Sequence, residues 1–166
     1  MTLFEPIFAA LERAGVRYVT VGGVAVVLHG HARFTADLDL VVDLASEAAA
    51  NAIDALTAVG FRPRLPVEAD GFADPAVRER WVTQQGMTMF SMWDPDDPLR
   101  SVDLFVEQPI DFEELWERSV VVDIEGTPVR VASIADLIRL KRIADRPMDR
   151  EDIGALEAIE ERKQNG

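Results

Sequence analysis

Asp37 and Asp39 are separated by a single residue in the run Asp37-Leu38-Asp39-Leu40-Val41-Val42. The run alternates as a strand does, and a strand carries side chains i and i+2 on one face. Both carboxylates therefore point the same way, within reach of one cation, while Leu38, Leu40 and Val42 point the other way. Adjacent carboxylates repel and raise a pKa unless a cation lies between them. Hard cations such as Mg²⁺ or Mn²⁺ take oxygen ligands. The plain alternative is a pair of solvated aspartates on an exposed strand face, the usual place for acidic residues.

Two further features bear on that pair. Gly22-Gly23 follows an apolar strand and opens a helix. Backbone N–H groups at such a turn can approach a phosphate closely, and the helix N-terminus favours negative charge. An ordinary tight turn would use the same residues. Asp103 is the one acid in the apolar run Val102-Asp103-Leu104-Phe105-Val106. A buried carboxylate needs a partner or a ligand; on an edge strand it would simply face solvent.

The elements that must position these residues follow from periodicity and turn signals. Phe4 to Ala14 reads as an amphipathic helix stopped by Gly15, Val16 to Val21 as a strand, and Val24 to His29 as a buried helix ended by Gly30. A strand over Phe34 to Asp43 and an Ala-rich helix over Leu44 to Val59 come next. Phe61 to Phe72 reads as irregular or a short strand. Asp74-Pro75 supplies a cap and first turn for a helix to about Gln85. Met87 to Trp93 and Ser101 to Val106 are strands joined by the turn Asp94-Pro95-Asp96-Asp97-Pro98, read as solvated. A short helix over Asp111 to Arg118 precedes a hairpin, Val120 to Ile124 and Thr127 to Val131, across Glu125-Gly126. Ser133 and Asp136 are spaced as a capping box for a helix to Ala144, and a last helix covers Met148 to Lys163. This order implies an α+β (mixed α/β) fold rather than a doubly wound sheet. We expect one domain over 1–166, with a core of about 16–131 and C-terminal helices over 133–163.

With 166 residues and 48% hydrophobic composition the chain can bury one substantial core. It has no cysteine, which excludes disulfides and thiolate metal sites. Met1 to Pro6 lacks the basic and apolar regions of a signal peptide. The most apolar stretch, Val16 to Leu28, is interrupted by Arg17, Thr20 and the glycine pair, so no membrane span is expected. These features lead to a cytoplasmic reading. A formal net charge of −13 argues against loose electrostatic binding of nucleic acid, although a cation can offset the carboxylates locally.

Taken together, Val19-Thr20-Val21-Gly22-Gly23, Arg33-Phe34-Thr35-Ala36-Asp37-Leu38-Asp39-Leu40-Val41 and the later Asp103 resemble the nucleotidyltransferase pattern of the DNA polymerase β superfamily. The Arg-x-Thr-x-Asp-Leu-Asp-Leu form looks like AbiEii-type toxin nucleotidyltransferases and small antibiotic nucleotidyltransferases. Leu140-Lys141-Arg142-Ile143-Ala144-Asp145-Arg146-Pro147-Met148-Asp149-Arg150-Glu151-Asp152-Ile153 is similar to the series that follows the core in AbiEii-like proteins. The resemblance implies a mixed sheet flanked by helices with a helical C-terminal extension. It also implies Mg²⁺ or Mn²⁺, with Asp37 and Asp39 holding two ions and Asp103 completing the acceptor-side ion and helping to deprotonate the acceptor hydroxyl. Gly22 and Gly23 would cradle the β- and γ-phosphates, Thr35 would add a hydroxyl, and Arg33 and Lys141 would meet the nucleotide's negative charge. Read without the resemblance, Arg33 is a surface arginine, Lys141 a solvated helix lysine, and Asp149 and Asp152 caps of the last helix. Gly23 stands where many members have serine, so one phosphate-binding hydroxyl is missing.

The implied reaction moves a nucleoside monophosphate from a nucleoside triphosphate to a hydroxyl acceptor (RNA, protein or small molecule), in a toxin–antitoxin or antibiotic-modifying setting. The competing reading is a non-catalytic module that keeps the fold and binds a nucleotide or a cognate toxin or antitoxin. A third is a purely structural domain with solvent-facing acids. His29 and His31 read as surface or cap groups, and the three tryptophans as core or partial core.

Overall fold

The computed structural model describes residues 3–166; the first two residues of the N-terminal stretch weighed for a signal peptide lie outside them. In chain order the elements are α1 (Glu5–Arg13), β1 (Tyr18–Val21), α2 (Gly22–Leu28), β2 (Asp37–Val42), α3 (Ser46–Ala58) and β3 (Arg62–Pro63). A 3-10 turn over Ala69–Ala73 leads to α4 (Pro75–Gln85), β4 (Met89–Trp93), β5 (Ser101–Phe105) and α5 (Phe112–Arg118). The chain ends with β6 (Val120–Ile124), β7 (Thr127–Val131), α6 (Ile134–Ala144) and α7 (Pro147–Asn165).

The seven strands form one mixed sheet in the order β3-β4-β5-β2-β1-β7-β6. β2 runs antiparallel to β1 and parallel to β5, and β1 runs parallel to β7. The expected α+β (mixed α/β) class is therefore what the chain adopts. β5 lies between β4 and β2, so Asp103 is on an interior strand, not on an edge.

One face of the sheet is fully packed. Leu38, Leu40 and Val42 on β2, Val102 and Leu104 on β5, and Phe90 and Met92 on β4 are all buried. Each such side chain contributes roughly 1.5–3 kcal/mol by leaving water. A slip of one residue would turn Asp39 and Asp103 into this core, so the register that buries the apolar set also fixes the acids on the opposite face. Trp81 of α4 closes the core by stacking on Phe90 with centroids 5.3 Å apart.

Several boundaries differ from expectation for local reasons. α2 begins at Gly22, two residues before the expected Val24, because the glycine pair itself makes the first turn. β2 begins at Asp37 rather than Phe34, which is exposed in the preceding loop. Asp94 is not solvated: it is buried, accepts from Arg100 at 2.7 Å and caps the turn through Asp96 N–H. Ser133 caps α6, as its spacing to Asp136 suggested.

Candidate active site

Asp39 and Asp103 are direct cross-strand partners on the parallel strands β2 and β5, and Asp37 stands opposite Ser101 in the same register. The three acids thus share the face opposite that core, on which Val19, Val21 and Val41 are buried as well. β1 delivers the glycine turn to the same place, since Val21 pairs with Asp39 and Gly22 follows. Gly22 has φ of +67°, and a Cβ there would overlap the Asp39 carboxylate. Glycine is required at this position both by the left-handed backbone and by the carboxylate against it.

Gly23 faces Thr35. A Cβ on residue 23 would stand 2.7 Å from the Thr35 hydroxyl oxygen and 3.4 Å from the Arg33 guanidinium carbon. The Thr35 hydroxyl therefore occupies the space that a serine at position 23 would need. The loop between α2 and β2 thus supplies a hydroxyl where the glycine turn lacks one.

The electrostatics of the acids are unbalanced. Burial pushes the Asp39 carboxyl up to about 7, and the negative charges of Asp103 and Asp37 add to the rise. Burial also raises Asp103, with Asp37 adding to the shift while Ser91 and Arg64 oppose it. Asp37 accepts from the Ser101 hydroxyl. Among the described residues no three acidic or histidine side chains converge into a ready-made metal cage. The donor set nonetheless has the chemistry a hard cation requires: oxygen ligands on one face, two of them held toward the protonated form by burial and mutual repulsion.

The C-terminal helices close the other side. Lys141 is buried, not solvated, and its ammonium lies 2.6 Å from Asp152 and 3.4 Å from Asp149. Arg33 is half-buried; it pairs with Asp152 and reaches the Met148 sulfur. Asp149 does cap α7, accepting from the Arg146 backbone N–H at 3.0 Å and from its guanidinium Nε at 2.9 Å. Although burial opposes it, the bonds to Arg146 hold Asp149 below the usual carboxylate range. His29 is tied to the Ala132 carbonyl, 2.8 Å from Nε2, away from any acid cluster.

Asp37, Asp39, Asp103, Gly23, Arg33, Thr35 and Lys141 line one cleft of about 560 Å³, within the size range of small-molecule sites. Gly22 backs its floor beneath Asp39. Phe34 and Met148, which the sequence did not mark, line it too, as does Arg146, which belongs to a basic island of Arg139, Lys141, Arg142, Arg146 and Arg150 that the sequence suggests could meet a triphosphate. Arg146 was visible only as one of several basic residues, and nothing in its spacing separates it from Arg142 or Arg150. Ser101 carried a weak signal, because it lies two residues before Asp103 on a strand.

Solved structures share this architecture. The lincosamide antibiotic adenylyltransferase LnuA, bound to lincomycin, superposes with a TM-score of 0.64 at 16% identity, over 95% of this chain and 96% of that one. ANT(2")-Ia in complex with adenylyl-2"-tobramycin gives 0.60 at 18% identity, over 96% and 91%. An antigenic nucleotidyltransferase-like protein from Paracoccidioides brasiliensis gives 0.58 at 16% identity, over 93% and 73%. At these identities the likeness establishes the fold. No curated protein matches by sequence. A family model matches residues 2–162, and by it the chain belongs to the family described as Nucleotidyltransferase of unknown function (DUF6036).

Proposed function

We propose that this nucleotidyltransferase transfers a nucleoside monophosphate from a nucleoside triphosphate to a hydroxyl of a small-molecule acceptor, using Mg²⁺ or Mn²⁺ held by Asp37, Asp39 and Asp103. The observation that carries this reading is the placement of Asp39 and Asp103 side by side on adjacent strands with Gly22 packed against Asp39. Bound divalent cations would neutralise these carboxylates and polarise the reacting phosphate and hydroxyl.

The chain's own groups have distinct tasks. The Gly22-Gly23 turn presents backbone N–H groups at the start of α2, and Thr35 adds a hydroxyl donor beside them. Arg33 and Lys141 lend positive charge to this side of the cleft. Asp103, beside the acceptor-side cation it would hold, takes the proton from the acceptor hydroxyl. The acceptor oxygen forms a bond to the α-phosphorus, the bond to the bridging oxygen breaks, and pyrophosphate leaves.

A small acceptor suits a chain of net charge −13, which disfavours long nucleic acids. It also agrees with the lincomycin-bound and adenylyl-tobramycin complexes of the structural neighbours. The AbiEii-type resemblance adds a toxin–antitoxin setting with a cognate protein partner as a second context for the same chemistry. A nucleoside triphosphate donor suits a cytoplasmic protein in either context.

Incubation with each of the four nucleoside triphosphates, Mg²⁺ and a panel of hydroxyl acceptors, followed by pyrophosphate detection, tests the reading. Release by the wild type that Asp103→Asn abolishes supports it. Nucleotide binding without release for any acceptor would point instead to a non-catalytic binding module.

A further inference from the structure

Three cations line or flank the cleft beside the glycine turn, but they are not equivalent. Lys141 spends its ammonium on Asp149 and Asp152 and is 6% exposed at its side chain. Arg33 pairs with Asp152, donates to the Phe34 carbonyl through Nε and contacts the Met148 sulfur. Both are committed to a buried network that joins the loop before β2 to α6 and α7. Arg146 differs. Its Nε and Nη2 bond Asp149, while Nη1 has no partner among the described residues. Its side chain is 73% exposed and lines the cleft. Across the network three positive groups meet two carboxylates, and the excess charge resides on the one cation open to solvent.

Resting on the nucleotide-transfer reading above, we infer that Arg146 is the side chain that binds the terminal phosphates of the nucleotide, and that Lys141, Asp152 and Arg33 are positioning residues. The Asp149 carboxylate holds the guanidinium by two of its nitrogens, leaving the remaining edge directed to a ligand. Arginine suits this double task because its planar fork serves two acceptors at once. Arg146 lines the same cleft as Asp37, Asp39 and Asp103, and Asp39 feels its charge as it does that of Lys141. The cap of α7 does not need the side chain, because Asp149 also accepts from the residue's backbone N–H.

The test compares wild type, Arg146→Gln and Arg150→Gln by calorimetry. Each is titrated in Mg²⁺ with ATP, GTP, CTP and UTP, and with the monophosphate of whichever binds best. Arg150 is a control of equal charge in α7, four residues beyond Arg146, and among the described residues its side chain pairs with Asp145 alone. Arg146→Gln should weaken triphosphate binding roughly ten- to hundredfold and leave the monophosphate unchanged. Arg150→Gln should change neither. Arg146→Lys, which keeps the charge but loses the fork, should fall between and serves if the glutamine variant does not fold. Equal loss of mono- and triphosphate, an Arg146→Gln affinity equal to wild type, or an equal effect of Arg150→Gln would overturn the inference while leaving nucleotide transfer standing. Absence of nucleotide binding by the wild type would remove both.

Discussion

Asp39 is held against a glycine, beside a second carboxylate, and largely out of water. Its pKa of about 7 compares with an ordinary 3.8. Between these values the folded chain keeps a proton that the unfolded chain has released. The contribution of Asp39 to stability without metal therefore falls as pH rises from about 4 to 7 and is level above that window. Asp39→Asn removes the penalty. In chelator at pH 8 it should stabilise the fold by on the order of 2–4 kcal/mol, with little effect below pH 4, as read from urea midpoints. A variant no more stable than wild type at pH 8 would contradict the buried, charge-crowded description of this residue. At the neighbouring turn, Gly23→Ser should lower the melting temperature because its Cβ meets Thr35. Adding Thr35→Ala, which removes the hydroxyl but leaves the Cβ at 3.1 Å, should restore part of the loss, a coupling that a double-mutant cycle measures directly.

Among elements, the decisive one is the β2–β5 pair, and it was the most legible part of the sequence. The alternation through Asp37 to Val42 separates Leu38, Leu40 and Val42 from the two acids, so strand type and the shared face of Asp37 and Asp39 follow from one pattern, while their pairing with β5 does not. The joining of α6 and α7 to the cleft was less legible. Lys141 reads as a solvated helix residue because helical periodicity says nothing about which distant loop lies against it. Its burial depends on Asp149, Asp152 and Arg33, and Arg33 lies 119 positions from Asp152. The Thr35 hydroxyl beside Gly23 was equally hidden, since loop conformation sets that contact. Replacing Lys141 by Met leaves two buried carboxylates with Arg33 and Arg146 as their remaining counter-charges. That should cost roughly 2–4 kcal/mol in chemical denaturation, somewhat less than a fully orphaned buried pair. A loss under about 0.5 kcal/mol, the size of a surface substitution, would show that the network does not anchor the helices.

At the scale of the whole molecule, an acidic chain sets three of its own acids in a cleft bounded by residues of the C-terminal helices. Among the described residues no helix is long and apolar enough to cross a membrane. The sheet order places β1 and β5 on either side of β2, which brings Gly22 against Asp39 and Asp39 beside Asp103 although 81 positions separate Gly22 from Asp103. The seven-stranded sheet could be named only as a mixed class from sequence, because strand order depends on pairings that local patterns do not encode. The overall negative charge would exclude a polyanionic ligand if it were spread evenly; the account requires instead that a cation-loaded cleft receive one. Calorimetric titration of ATP, GTP, CTP and UTP, with and without Mg²⁺, into wild type and an Asp37→Ala, Asp39→Ala double variant tests that requirement most directly. The account predicts binding of at least one nucleotide that needs Mg²⁺ and disappears in the double variant; binding that persists in the variant, or that ignores Mg²⁺, would contradict it.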